Sequence, residues 1–191
     1  MKQIIFNLVN FFEWVTEWTG KLIAWLTLFM VLAVVSVLIL RNLFEISAIA
    51  LQESVSYMHA MVFMLGAAFT LKHNDHVRVD VFYHRFSDKK KAWVDNLGFL
   101  LLLLPVCIFI FIYCKDYVMF NWELKEGSNQ PGGLPYLYML KGLLLAMPVA
   151  VIIQGLAQFL TNSMYLLGWR ESPYANSSPD TTQAIKEASH V

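Results

Sequence analysis

Few residues of this 191-residue chain are of a type that does chemistry, and their spacing decides what they could do. Glu53 and His59 stand six positions apart in an otherwise uncharged run. Cys107 and Cys114 are seven apart, which on a helix means two turns apart on one face and out of disulfide reach. His73-Asn74-Asp75-His76 has histidines that a metal could use, but no third cluster of ligands accompanies them. A Gly-rich phosphate loop, a nucleophile elbow and a paired acidic site are all missing. The sequence therefore offers no catalytic residue, no cofactor-binding residue and no metal site, and it does not read as an enzyme.

The elements that carry these residues follow from composition. Hydrophobic residues make up 58% of the chain and Asp, Glu, Lys and Arg only 15%, against roughly 25% charged in soluble domains. Lys+Arg and Asp+Glu number 14 each, so the basic excess of a nucleic-acid binder is missing and no nucleic-acid partner is expected. Nine Gly, six Pro, two Cys and 28 aromatic residues exclude collagen, disorder and a disulfide scaffold. What charge there is lies bunched between long apolar runs, which is the pattern of a membrane protein.

A helix crosses the hydrocarbon with about 20 apolar residues. Leu22–Leu40 gives nineteen uncharged residues between Lys21 and Arg41. Ile46–Leu71 is interrupted only by Glu53; Asn96–Cys114 lies between Asp95 and Lys115, and Gly142–Trp169 between Lys141 and Arg170. The reading is an all-α membrane protein with four transmembrane helices, over about 22–40, 46–71, 93–114 and 136–167, forming a 22–169 membrane domain. Residues 1–21 read as an amphipathic N-terminal helix, with Gln3, Asn7, Asn10, Glu13 or Trp14, Glu17 and Lys21 on one side and Ile4, Leu8, Phe11, Val15 and Trp18 on the other. It either lies on the membrane surface or extends the first span into the headgroups; its pattern is not that of a secretory signal. Residues 170–191 are polar and are expected to form a mobile tail.

Orientation follows from the basic residues of the connections. With both termini inside, ten basic residues are cytoplasmic, six of them in residues 72–92, and four are external. Both termini and that connection are therefore expected in the cytoplasm.

Two spans carry polar stripes. Gln52, Ser56, His59, Phe63, Gly66, Thr70 and His73 follow alternating spacings of four and three, so one face of the second span is polar and small. Gln154, Gln158, Thr161 or Asn162, and Tyr165 form a comparable stripe on the fourth, after Pro148. Such faces turn toward other helices, in this subunit or a partner, because lipid offers amides and imidazoles nothing to bond. Glu53 either marks the end of its span or bonds to a partner subunit. A haem role for His59 lacks a second histidine within the spans, and packing contact is the simpler reading than a proton relay.

The second span runs through Leu65-Gly66-Ala67-Ala68 into Leu71-Lys72-His73-Asn74-Asp75-His76-Val77-Arg78-Val79-Asp80. This resembles the small membrane subunit of TRAP transporters, the tripartite ATP-independent periplasmic family, in which a Gly-Ala span runs into His-(Val/Ile)-Arg-Val-Asp. Glu126-Gly127-Ser128-Asn129-Gln130-Pro131-Gly132-Gly133-Leu134-Pro135 is similar to that family's Glu-x-Ser and Gly-Leu-Pro before the last helix. The resemblance covers about residues 10–168. It implies a non-enzymatic Q-type small permease in a bacterial inner membrane, supporting a large TRAP membrane subunit. A periplasmic solute-binding protein would deliver an organic acid to that large subunit for sodium-coupled uptake. Candidate subunit contacts are then Gln52, Glu53, Ser56, His59, Gly66, His76, Arg78, Asp80, Gln154 and Gln158. Glu126, Ser128, Gly133, Leu134 and Pro135 form the candidate loop facing the binding protein.

The local pattern adds detail. Arg78 and Asp80 alternate with Val77, Val79 and Val81, as in an extended or interfacial segment. Ser87-Asp88-Lys89-Lys90-Lys91 reads as an N-cap and a basic first turn, and Pro135 suits the first turn of the last helix. The rival readings are a membrane-anchor subunit of a redox complex, which needs haem ligands or a quinone pocket, and a small channel built from several copies.

Overall fold

The computed structural model describes residues 2–73 and 86–174. Four long helices account for most of them: α1 (Lys2–Leu43), α2 (Ile49–Lys72), α3 (Asp88–Glu123) and α4 (Leu137–Leu166). Each is long and apolar enough to cross a membrane, and no strand occurs among the described residues. The expected fold class of four transmembrane helices is the one observed.

α1 has 42 residues, about 63 Å at 1.5 Å per residue, roughly twice the hydrocarbon thickness. The amphipathic segment therefore continues into the first span without a break, because nothing from residue 2 to 43 interrupts helix: there is no Pro, and Gly20 is the single Gly. Gly20 serves close packing, since a Cβ there would collide with the Phe69 ring of α2. The buried line of the segment is Val9, Thr16, Gly20 and Ile23. Phe11, Trp14 and Trp18 point outward, with successive ring centroids 6.4 and 6.1 Å apart.

α4 is the centre of the bundle. It packs against α1, α2 and α3, while α1 and α2 pair as a hairpin. Its inward residues include fully enclosed Pro148, together with Gly155 and Ala157. Opposite Gly155, α3 widens into a π-helical segment, Phe99–Leu103, in which Leu104 N–H donates to Phe99 O, five residues back. Pro105 follows directly; it has no N–H to give Leu101, and the wider turn accommodates that lost bond. The Phe99 ring then occupies the space a Cβ on Gly155 would need.

Local details differ at the helix ends. α3 extends beyond its apolar run at both ends, from Asp88 to Glu123. Ser87 holds the N-cap position, but its side chain makes no capping bond; its carbonyl accepts Lys91 N–H instead. α4 starts at Leu137, so Pro135 lies in the turn before the helix and not in its first turn.

The end of the bundle where α2 and α4 finish is held by polar contacts. Lys72 Nζ donates to Glu17 Oε2 at 2.7 Å and to Glu13 O at 3.0 Å, and Lys21 also pairs with Glu17, at 3.3 Å. The segment after α4 folds back on α3: Ser172 Oγ donates to Asp88 Oδ2 at 2.7 Å. Tyr174 is buried, its hydroxyl 2.8 Å from Asp95 Oδ2 and 3.1 Å from Asn162 Oδ1. The expected tail thus begins with an anchored stretch; residues 175–191 lie outside the described residues.

Candidate functional site

The polar stripe of α2 faces away from the chain's own core. Gln52, Ser56, His59 and Phe63 are all exposed, at spacings of four, three and four, with Phe63 at 72%. Helical periodicity puts them on one outward ridge. Alongside runs a groove of about 480 Å³. Met30, Val31, Val34 and Val35 of α1 form one wall, and Val55, Ser56 and His59 of α2 the other. Gly66 continues this face: nothing lies within 4 Å of a Cβ built on it. The chain itself supplies no neighbour at that close-approach point.

The stripe of α4 is turned the other way. Gln154, Thr161 and Asn162 are buried inside this chain's bundle, and Gln158 is half-buried. Gln154 Oε1 and Asn162 Nδ2 are buried without a protein partner. Gln154 is only 3% exposed and packs within this chain's own bundle. The burial is a consequence of α4's central position.

Glu53 lies near the start of α2, as expected of a residue at the end of a span, and its carboxylate is engaged within the chain. Ser128 Oγ donates to Glu53 Oε1, and Leu134 N–H donates to Oε2 at 2.7 Å. An acid near hydrocarbon is costly unless it is bonded, and these two donors lie 75 and 81 positions away. Around them the connection between α3 and α4 closes on itself. Ser128 N–H donates to Leu134 O, and Gly133 N–H to Gln130 O, both at 3.0 Å. Gln130 N–H donates to Ser128 Oγ at 3.0 Å. A Cβ on Gly133 would collide with Ser128 Oγ and lie 2.8 Å from Glu53 Oε1, so a side chain there would push on both partners of this bond. Gly132, at φ 79°, takes the left-handed turn open to glycine.

Glu126 anchors the start of the same connection. Its carboxylate accepts from Lys141 Nζ of α4, which also donates to Asn121 Oδ1 at 2.8 Å and sits 4.8 Å from the Tyr117 ring centroid. Tyr138 N–H donates to Glu126 O at 3.1 Å. Of the five expected loop residues, Ser128, Gly133 and Leu134 are brought together with Glu53, while Glu126 pairs with Lys141; these four are half-buried, and Pro135 is exposed. The tip, residues 129–132, is exposed and uncharged.

Sequence reasoning missed Lys141 and Asn121 as partners of Glu126. A basic residue opening the fourth span, fifteen positions after Glu126 with no charge between them, was the available signal. It also missed the Tyr174–Asp95–Asn162 contact, for which one sequence holds no signal. His76, Arg78 and Asp80 lie outside the described residues. Among the described residues no group of three metal-ligating side chains occurs.

A comparison with protein families matches residues 30–163 to the model described as "Tripartite ATP-independent periplasmic transporters, DctQ component". No curated protein and no solved structure matches the chain.

Proposed function

The chain belongs to the DctQ family, the small membrane component of tripartite ATP-independent periplasmic transporters, and from that membership we propose that it is the scaffold on which the large membrane subunit sits during sodium-coupled uptake of an organic acid. The family works as a tripartite complex with a large membrane subunit and a periplasmic binding protein, and its members are inner-membrane proteins of a transporter, not known as enzymes.

The observation that carries this reading is the outward stripe Gln52–Ser56–His59 beside the α1–α2 groove. In hydrocarbon these side chains would leave several hydrogen-bonding groups unmet, and the chain's own helices do not cover them. A helix of the large subunit, laid along the groove with polar side chains toward His59, meets both the shape and the bonding need. The test is co-purification and uptake together. Ser56→Trp, which fills the groove, is expected to lose the large subunit and, with it, sodium-dependent uptake of radiolabelled organic acids. Full uptake by cells making Ser56→Trp, or by cells lacking this chain, would overturn the scaffold reading.

In the same reading both termini and residues 72–92 are cytoplasmic, which the ten-to-four distribution of basic residues supports. The α3–α4 connection is then periplasmic. Its clamped base and exposed, uncharged tip favour a second role, as the part of this subunit that the binding protein touches. A cysteine at position 90 in a cysteine-free chain should resist membrane-impermeant thiol reagents in intact cells, whereas one at 130 should react. The reverse result contradicts the orientation.

A further inference from the structure

We infer that Glu53 is a positioning residue: from α2, its carboxylate holds the 126–135 segment in the shape that the periplasmic binding protein meets. This rests on the reading above that the connection faces that protein. The two oxygens of Glu53 grip the segment at separate points, Ser128 Oγ near its start and Leu134 N–H near its end. The Ser128 N–H to Leu134 O bond closes the base between them, and Gly133 N–H to Gln130 O folds the tip. Gly133 leaves room for Ser128 Oγ and the carboxylate, which a Cβ there would crowd. Residues 129–132 are thereby presented outward from a fixed base. A surface ordered before docking loses less conformational freedom on binding, which strengthens association without any new contact. Glu53 does this from a different helix pair, since the segment joins α3 to α4 while the carboxylate belongs to α2.

The test joins two measurements. A photoreactive benzoylphenylalanine replaces Asn129 in cells that make the complete transporter, and its crosslinked product is identified by mass spectrometry. Amide hydrogen exchange at Leu134 is followed in the purified full chain. Glu53→Met keeps the length of the side chain but removes both carboxylate oxygens, the acceptors of Ser128 Oγ–H and Leu134 N–H. The Leu134 amide is then expected to exchange about tenfold faster, the size expected of one lost bond to a charged group. Crosslinking to the binding protein should fall by a similar factor, while the large subunit still co-purifies. Gly133→Ala leaves Glu53 in place but crowds it, and should behave the same way. Unchanged exchange in both variants, or faster exchange with full crosslinking, overturns the inference. So does loss of the large subunit in Glu53→Met, which would make Glu53 an assembly residue. If position 129 of the otherwise unaltered chain never crosslinks to the binding protein, the docking reading itself fails and the inference falls with it, whatever the exchange shows.

Discussion

Gln52, Ser56 and His59 on α2 and Leu102, Val106, Phe109 and Tyr113 on α3 follow the same three-and-four spacing, and both sets point away from the chain's own core. Exposure does not distinguish them: Phe63, which ends the first stripe, and Tyr113, which ends the second, are each 72% exposed. Chemistry does. Aliphatic and aromatic side chains are as well placed against lipid tails as against another helix, because the bilayer is itself apolar. Imidazole, amide and hydroxyl groups are not, since lipid cannot bond them. The α3 face suits lipid and the α2 face does not. The one hydroxyl on the α3 face is that of Tyr113, two residues from Lys115 at the end of the apolar run, where headgroups can bond it. In water the buried side of a helix is its apolar side; in the reading proposed above, the polar outward side is the one that packs on the large subunit.

The largest expected effect separates these faces directly. Ser56→Trp places an indole in the α1–α2 groove, and overpacking of about 1–3 kcal/mol corresponds to a fall of roughly five- to hundredfold in large-subunit recovery. Val106→Trp on α3 should leave recovery within about twofold by the same measure. Next in size is Gly20→Leu, which drives a side chain into the Phe69 ring and should cost the isolated chain about 1–3 kcal/mol, read from thermal unfolding in detergent. Gly66→Leu is its counterpart. With nothing within 4 Å of its Cβ, it should leave the isolated chain as stable as before and weaken only the complex. Equal losses in the two isolated variants would mean that Gly66 faces this chain's own helices.

How far the sequence foretold this division depends on the element. The spans were legible because charges bracket each apolar run, from Lys21 and Arg41 to Lys141 and Arg170. The two polar stripes looked alike, because a helical spacing of Gln, Ser and Asn shows that a face exists and not which neighbour it meets. Only the packing order, with α4 in the middle, turned Gln154 inward and left His59 outside. The clamp was half legible: Glu53 and the Ser128–Leu134 segment each stood out, but a bond across 75 or 81 positions leaves no local trace. The π-helical turn before Pro105 belongs to the same class, being a response to packing against Gly155 as well as to proline.

Two smaller effects sharpen the contrast. Tyr174→Phe removes the hydroxyl that reaches Asp95 and Asn162. It should cost the chain about 1–2 kcal/mol in thermal unfolding with large-subunit recovery unchanged, because this contact ties α3 to α4 on the side away from the groove. His59→Leu should be smallest, below about 1 kcal/mol by the range for hydrogen bonds in membranes, visible as a few-fold drop in recovery and no drop in uptake by complexes that form. Complete loss of uptake from an intact complex would instead give His59 a part in handling ions or solute.

The most direct measurement is site-specific photocrosslinking in native membranes, with a photoreactive side chain at position 59 on α2 or at position 109 on α3. Position 59 should join this chain to the large membrane subunit, and position 109 should yield only lipid adducts. Crosslinks to the large subunit from 109 with none from 59 would contradict the assignment of the polar face to protein and the apolar face to lipid.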